Sequence, residues 1–155
     1  GDDVKHSTIV GGSCLIWNLK ENDVHFLDWS MGCIQALDEL FHVSLDYHKP
    51  SNCFVFCIWL AKSQNMASQY EANLVIKGDG NKRLCFDGIK VNSVKSVPSI
   101  EKCIEETGNI SLCLSRNLAK NISEKRQEII YEYQSMLFKS VVIESLEVDY
   151  FFKKI

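Results

Sequence analysis

The sequence lacks both a long apolar run and an excess of basic residues. Its longest apolar run, Cys53 to Ala61, covers nine residues and is followed by Lys62, whereas a membrane-spanning helix needs about 20. The chain has 17 Lys and Arg residues against 20 Asp and Glu, a formal net charge of −3. A protein that follows nucleic-acid phosphates needs the opposite balance. The sequence therefore predicts no membrane partner and no nucleic-acid partner.

Proline and glycine are also scarce, at two and eight residues. Hydrophobic residues make up 46% of the chain and charged residues 24%, which is typical of a folded domain and argues against a long disordered linker. A chain of 155 residues has about the length of one domain. We therefore predict a single domain over residues 1–155.

A paired disulfide framework is missing as well. The cysteines number seven, an odd count, and are scattered in apolar surroundings. This pattern favours reduced thiols and a location in the cytoplasm, the nucleus or both. One alternative gathers His42, His48 and Cys53 around a metal ion, but no closely spaced ligand pair supports it, since Cys53 and Cys57 would lie about 13 Å apart along a strand. The prediction is no metal and no cofactor.

Alternation of apolar and polar residues predicts strands in much of the chain. Residues 70–77 show it most clearly, and Gly78-Asp79-Gly80-Asn81 favours a tight hairpin that returns over residues 82–86. Residues 53–60 are apolar on both faces, as in a central strand covered by a second layer. Further strands are predicted over residues 110–114 and 127–136, the second with Ile129, Tyr131 and Tyr133 on one face. A β-branched run favours a strand over residues 139–152 as well, although residues 144–149 could also be helical.

Short helices are predicted between these strands. Ser30 is a candidate N-cap for a helix over residues 31–41, where apolar residues recur at helical spacing. Pro98 suits the first turn of a second helix, and Ser115 suits the N-cap of a third. Closely spaced strands without alternating βαβ units favour a sandwich. The predicted fold class is mainly β, an antiparallel β-sandwich with two or three short helices.

Several short motifs follow one another in a characteristic order. Tyr70 to Gly78 has the pattern Tyr-x-Ala-x-Leu-x-Ile-x-Gly, and Arg83 to Asp87 has Arg-Leu-Cys-Phe-Asp. Cys113-Leu114 precedes the turn at Ser115, and the segment from Gly11 to Trp29 opens the series. Together these motifs resemble the substrate-binding domain of the seven-in-absentia (SIAH/SINA) ubiquitin ligases, a TRAF-like family. The resemblance covers most of residues 5–31 and 53–136.

The chain departs from this family pattern in two segments. An insertion at about residues 32–50 and a C-terminal extension after about residue 137 have no counterpart in it. The resemblance implies a TRAF-like β-sandwich. The two extra segments could reshape its partner surface or its dimer contact.

The resemblance implies binding rather than catalysis. The family captures a degron peptide as an added strand at a sheet edge, which is β-augmentation, and forms homodimers. Any ubiquitin-ligase activity would need a RING domain outside this chain. Carried over by position, the partner-binding residues are Ser7, Ile9, Ser13, Leu15, Trp17, Leu27, Asp28, Trp29 and Met31. Trp29 and Met31 suit an anchor pocket, whereas Ser13 replaces an acidic residue of the family and puts the peptide preference in question.

Other interpretations stay open at this point. Trp29 could belong to the core instead of the groove, and for Trp17 and Trp59 a packing role is favoured further. Asp28 could be solvated. The domain could also be a scaffold that dimerises or docks a folded partner without any ligase function. A thiol enzyme is disfavoured, because no motif places a cysteine and a histidine beside an oxyanion-stabilising turn.

Overall fold

The computed structural model describes residues 7–11, 13–19, 31–94 and 109–155. Within them the chain is mainly β and forms two sheets, which confirms the predicted fold class. The first sheet has six strands: β1 (Ser7–Gly11), β2 (Cys14–Asn18), β6 (Tyr70–Lys77), β7 (Arg83–Lys90), β10 (Glu124–Glu132) and β11 (Leu137–Lys154). The second has five: β3 (Met31–Ala36), β4 (Glu39–His48), β5 (Cys53–Leu60), β8 (Asn92–Ser93) and β9 (Leu112–Ser115).

Pairing within the sheets is antiparallel except for the short parallel pair of β5 and β8. The first sheet has the order β1-β2-β11-β6-β7, and β10 pairs with the N-terminal half of β11. The second has the order β3-β4-β5, with β8 and β9 both paired to β5. Two short helices complete the described part of the chain, α1 (Gln64–Ala67) and α2 (Arg116–Ile122).

The hydrophobic core lies between the two sheets. Alternate residues of β6 are buried, as period two requires, and β5 is buried on both faces except at its first residue. Phe41 of the second sheet stacks on Phe152 of the first with ring centroids 3.9 Å apart, and it meets the ring of Tyr70 edge-on at 5.4 Å. The predictions of a central strand over 53–60 and a hairpin after residue 77 are therefore confirmed.

Helix α2 begins where the sequence predicts. The Ser115 hydroxyl accepts a hydrogen bond from the backbone N–H of Leu118 at 3.3 Å, which satisfies one of the free donors of the first turn. The strand predicted over 139–152 is confirmed as part of β11. The strand predicted over 127–136 instead ends at Glu132, because Tyr133–Met136 form a turn in which Met136 has a φ of 54°.

The helix predicted over residues 31–41 is wrong. The segment forms a hairpin of β3 and β4, in which Leu37 and Asp38 both have positive φ, 52° and 59°, as a type I′ turn requires. Ile34 lies directly opposite Phe41 and both are buried, so their helical spacing in sequence reflects a cross-strand pair. Residues 32–50, predicted to be an insertion, thus supply two paired strands of the second sheet.

Some sequence predictions lie outside the described residues. These are the helix that starts at Pro98 and the groove residues Leu27, Asp28 and Trp29, together with the proposed N-cap Ser30.

Candidate protein-interaction site

Leu15 and Trp17 lie in the core and not in a groove. Their strand β2 is paired on both sides, to β1 and to β11, so it offers no free edge. Leu15 is 1% exposed and Trp17 is 0% exposed. The indole N–H of Trp17 donates a hydrogen bond to the Tyr150 hydroxyl at 3.0 Å. In this arrangement neither side chain can contact a bound peptide, which corrects the prediction for these two positions.

The other members of the predicted groove are dispersed. Ser7 and Ile9 lie on β1, opposite Trp17 and Leu15, at the end of the first sheet. The carbonyl of Ser13 accepts a hydrogen bond from the backbone N–H of Tyr150 at 2.9 Å, so it faces β11. The described residues therefore do not assemble the predicted groove as one surface.

Met31 begins β3 and is half-buried. It packs against Cys57 and Trp59, which lie on the face of β5 that is turned away from the first sheet. Met31 therefore has a defined packing environment at the start of an edge strand.

Strand β3 is the last strand of the second sheet, and no described strand pairs with its outer side. Its sequence, Met-Gly-Cys-Ile-Gln-Ala, contains no charge and no proline, the residues that usually protect an edge from pairing with another chain. Ile34 is buried and fixes the strand to the core, while Cys33 and Gln35 are exposed. Strand β3 is therefore held to the core through Ile34, and its own residues include none of these protecting types.

The hairpin geometry determines which backbone groups of β3 face outward. The two residues that flank a two-residue turn, here Ala36 and Glu39, form a backbone hydrogen-bonded pair. Along an antiparallel ladder, hydrogen-bonded pairs alternate with pairs that are not hydrogen-bonded. Cys33 and Gln35 are therefore in non-bonded pairs, and their N–H and C=O groups point to the outer edge.

Strand β7, the last strand of the first sheet, is protected against strand addition. Strand β7 carries exposed Arg83, Asp87 and Lys90. Gly88 has a φ of +65°, and its N–H is bound by the side chain of Asn73 at 3.0 Å, where the register to β6 shifts. Charges and a bulge of this kind discourage strand addition.

A row of three side chains crosses the outer face of the second sheet. Cys33, His42 and Trp59 lie directly opposite one another on β3, β4 and β5. The Cys33 Sγ is 3.3 Å from the His42 Nδ1, and the His42 ring stacks on Trp59 at 6.0 Å and 16°. Burial lowers the pKa of His42 below its ordinary value. The sequence contains no signal for this row, because the contact depends on the register of a hairpin.

The structure does not bring His42 together with His48 and Cys53, the residues considered as metal ligands. His48 contacts the Ser51 hydroxyl through Nδ1 at 2.6 Å, and the Cys53 thiol donates to the Ser51 carbonyl at 3.3 Å, whereas His42 lies with Cys33. No group of three or more potential ligands suited to a metal ion occurs among the described residues.

A second exposed surface lies on β10, on the turn Tyr133–Met136 and on residues 137–145 of β11, which together we call the arm. Its base is tied to α2, because Glu144 accepts hydrogen bonds from Lys120 at 3.1 Å and from Ser123 at 3.0 Å. Large apolar side chains are exposed along its length: Ile129 (74%), Tyr131 (37%), Tyr133 (82%), Met136 (74%), Leu137 (63%), Phe138 (75%) and Val142 (60%). Exposed apolar patches of this kind mark interaction sites.

The arm continues the inner face of the first sheet. Phe138 and Val142 occupy the same alternating positions of β11 as the core residues Leu146 and Val148, but no described strand of the second sheet covers them. Of the three residues predicted to share a face, Ile129 and Tyr131 do so on β10, where that face is exposed, whereas Tyr133 lies in the turn. A concavity of about 540 Å³ at the tip is lined by residues of both strands and the turn, among them Tyr133 and Lys139.

Comparison of the chain with protein-family models and with curated proteins gives no match. Across the described residues, no helix has the length and apolar character needed to cross a membrane. The outer edge of β3 and the arm are therefore the two candidate interaction surfaces of the described residues.

Proposed function

We propose that this chain is a non-catalytic protein-interaction domain of a seven-in-absentia-like ubiquitin ligase. It binds an extended partner or degron peptide by β-augmentation, and the peptide adds to the outer edge of β3. The observation that supports this most is the edge itself, six residues without charge or proline, fixed to the core through Ile34. Ligase chemistry would come from a RING domain outside this chain.

The peptide would gain affinity from backbone bonds and specificity from side chains. The outward N–H and C=O groups of Cys33 and Gln35 supply up to four hydrogen bonds, each worth about 0.5–1.5 kcal/mol. Side chains of the peptide that alternate toward the outer face would meet Met31 and Cys33. The polarisable thioether of Met31 adapts to different apolar partners, which suits a binding site for several sequences.

The proposal is tested by removing one outward donor. Linear peptides are selected from a random phage-displayed library against the purified domain, and their affinities are measured for the wild type, Gln35→Pro and Gln35→Thr. Proline at this edge position removes the outward N–H without taking a bond from β4. We expect at least about ten-fold weaker binding, equivalent to about 1.4 kcal/mol, for the proline variant alone.

The threonine variant is the matched control, because it also loses the glutamine side chain but keeps the N–H. Circular dichroism and thermal unfolding of all three proteins establish that the fold is retained. Equal affinities of the three proteins, or failure to select any peptide, would contradict peptide capture at β3.

The arm favours a second function, a scaffold that forms homodimers. A two-stranded ribbon that exposes this much apolar surface is marginally stable in water on its own. Antiparallel pairing of β10 with β10 of a second copy, with Ile129 on the two-fold axis, would place Arg126 opposite the second copy's Glu132 and would oppose no like charges. Such a dimer would cover part of the exposed face.

Dimer formation through the arm predicts a specific response to a charge at its centre. Ile129→Lys brings two ammonium groups together at the axis and removes apolar burial worth roughly 1.5–3 kcal/mol per side chain, so we expect at least about a ten-fold weaker dimer by sedimentation equilibrium. The matched control is Phe151→Lys, which changes a 52% exposed side chain outside the arm. A wild-type protein that is monomeric at high micromolar concentration would contradict the dimer.

A further inference from the structure

The row of Cys33, His42 and Trp59 has the geometry of an activated thiol. Cys33 is exposed on an edge strand, and its sulfur lies 3.3 Å from the His42 Nδ1. A nucleophile within hydrogen-bond reach of a base, with the base oriented by a third group, is the general arrangement that activates a cysteine. Here the third group is the Trp59 ring, which stacks on the imidazole at 6.0 Å.

The imidazole is held in the form that can accept a proton. Because burial lowers the pKa of His42, the ring is neutral near neutral pH. The tautomer with its proton on Nε2 leaves a lone pair on Nδ1 that faces the thiol. Trp59 is 1% exposed, and its ring lies nearly parallel to the imidazole, at 16°.

The other described thiols lack the environment of Cys33. Burial, together with a hydrogen bond to Asp149, raises the pKa of Cys14 to about 12. Burial and the neighbouring Cys53 raise the pKa of Cys113, and Cys57 is 2% exposed. The Cys53 thiol donates a hydrogen bond to the Ser51 carbonyl at 3.3 Å. Cys85 is exposed on β7, but no histidine of the described part of the chain bonds to it. Cys33 is therefore distinguished by its partner and not by exposure alone.

We propose that Cys33 is a covalent modification site that accepts low-molecular-weight disulfides such as oxidised glutathione. His42 Nδ1 takes the thiol proton, and the Cys33 sulfur attacks one sulfur of the disulfide. A new S–S bond forms as the old one breaks, and the displaced thiolate takes up the proton. The Cys33 sulfur is oxidised and the displaced sulfur is reduced. The exchange depends on the row alone, whether or not β3 binds a peptide.

The test measures glutathionylation at each cysteine of the folded, reduced chain. Wild-type protein is exposed to oxidised glutathione, samples are quenched over time, and peptide mapping by mass spectrometry gives a rate for each site. We expect Cys33 to react about ten-fold faster than Cys85, the internal reference for an exposed thiol without a base. Equal rates at these two sites, or a faster reaction elsewhere, would overturn the proposal without any variant being made.

Two histidine variants then identify the base. His42→Gln should reduce the Cys33 rate to that of Cys85, while His48→Gln, which changes a histidine of the same strand bonded to Ser51, should leave it unchanged. Unfolding curves monitor the fold of both variants. A Cys33 rate that is unaffected by His42→Gln in a folded protein would remove His42 from the site.

Discussion

Replacing Trp17 with alanine should lower the free energy of unfolding by about 3–5 kcal/mol, the range for removing a large buried aromatic side chain. The side chain is completely buried between the sheets and donates a hydrogen bond to Tyr150 at 3.0 Å. Burial raises the pKa of Tyr150 above its ordinary value, so its hydroxyl remains protonated and available to the indole. Since a domain has about 5–15 kcal/mol of stability in total, the variant should be close to unfolding. Urea denaturation measures the change directly.

Two further variants separate packing from hydrogen bonding and from surface effects. Trp17→Phe keeps most of the ring but leaves the Tyr150 hydroxyl without its donor, which should cost about 1–3 kcal/mol beyond the lost volume. Phe151→Ala changes an exposed ring of the same sheet, 52% accessible, and should cost well under half as much as Trp17→Ala. A Trp17→Ala protein as stable as the wild type would mean that Trp17 lines a surface, as the family resemblance implies.

The strands that were predicted correctly carry their own periodicity. In β6 each buried residue alternates with a half-exposed one, so local sequence contains the whole signal. Strand β5 was recognisable because it is covered on both faces. The hairpin of β3 and β4 was missed because its turn, Leu37-Asp38, contains neither glycine nor asparagine, the residues that usually indicate a type I′ turn.

The candidate sites were harder to predict, because they depend on partners that are distant in sequence. Trp17 and Tyr150 are separated by 133 positions, and only the pairing of β2 with β11 makes Trp17 a core residue. Cys33 and His42 are only nine positions apart, but they meet because the β3–β4 hairpin places them opposite each other. The helix predicted for this segment does not contain that pairing. Alternation in β10 correctly gave Ile129 and Tyr131 a common face, yet alternation does not tell whether that face is covered.

Gly78 forms the contact between β6 and the end of α2. Its backbone passes so close to Ile122 that a Cβ atom would overlap the Ile122 carbonyl oxygen and come within 2.6 Å of the carbonyl carbon. The same carbonyl accepts a hydrogen bond from the Asp79 N–H at 2.7 Å, and the Gly78 N–H donates to Lys82 at 2.9 Å. Because both sides of the contact are backbone, neither can move away without losing hydrogen bonds.

Gly78→Ala should therefore lower the free energy of unfolding by about 3 kcal/mol, at the upper end of what overpacking costs. Gly80→Ala is the matched control in the same turn, since Gly80 has a φ of +61° and open space within 4 Å. It should cost only about 1 kcal/mol, the penalty of a left-handed conformation for alanine. Urea denaturation of both variants gives the two values, and equal costs would contradict the close approach. Amide hydrogen exchange at Asp79 should also accelerate in Gly78→Ala but not in Gly80→Ala, because only the first variant disturbs the hydrogen bond from the Asp79 N–H to the Ile122 carbonyl. Ile122 lies just before β10, so this bond fixes the base of the arm to the end of β6.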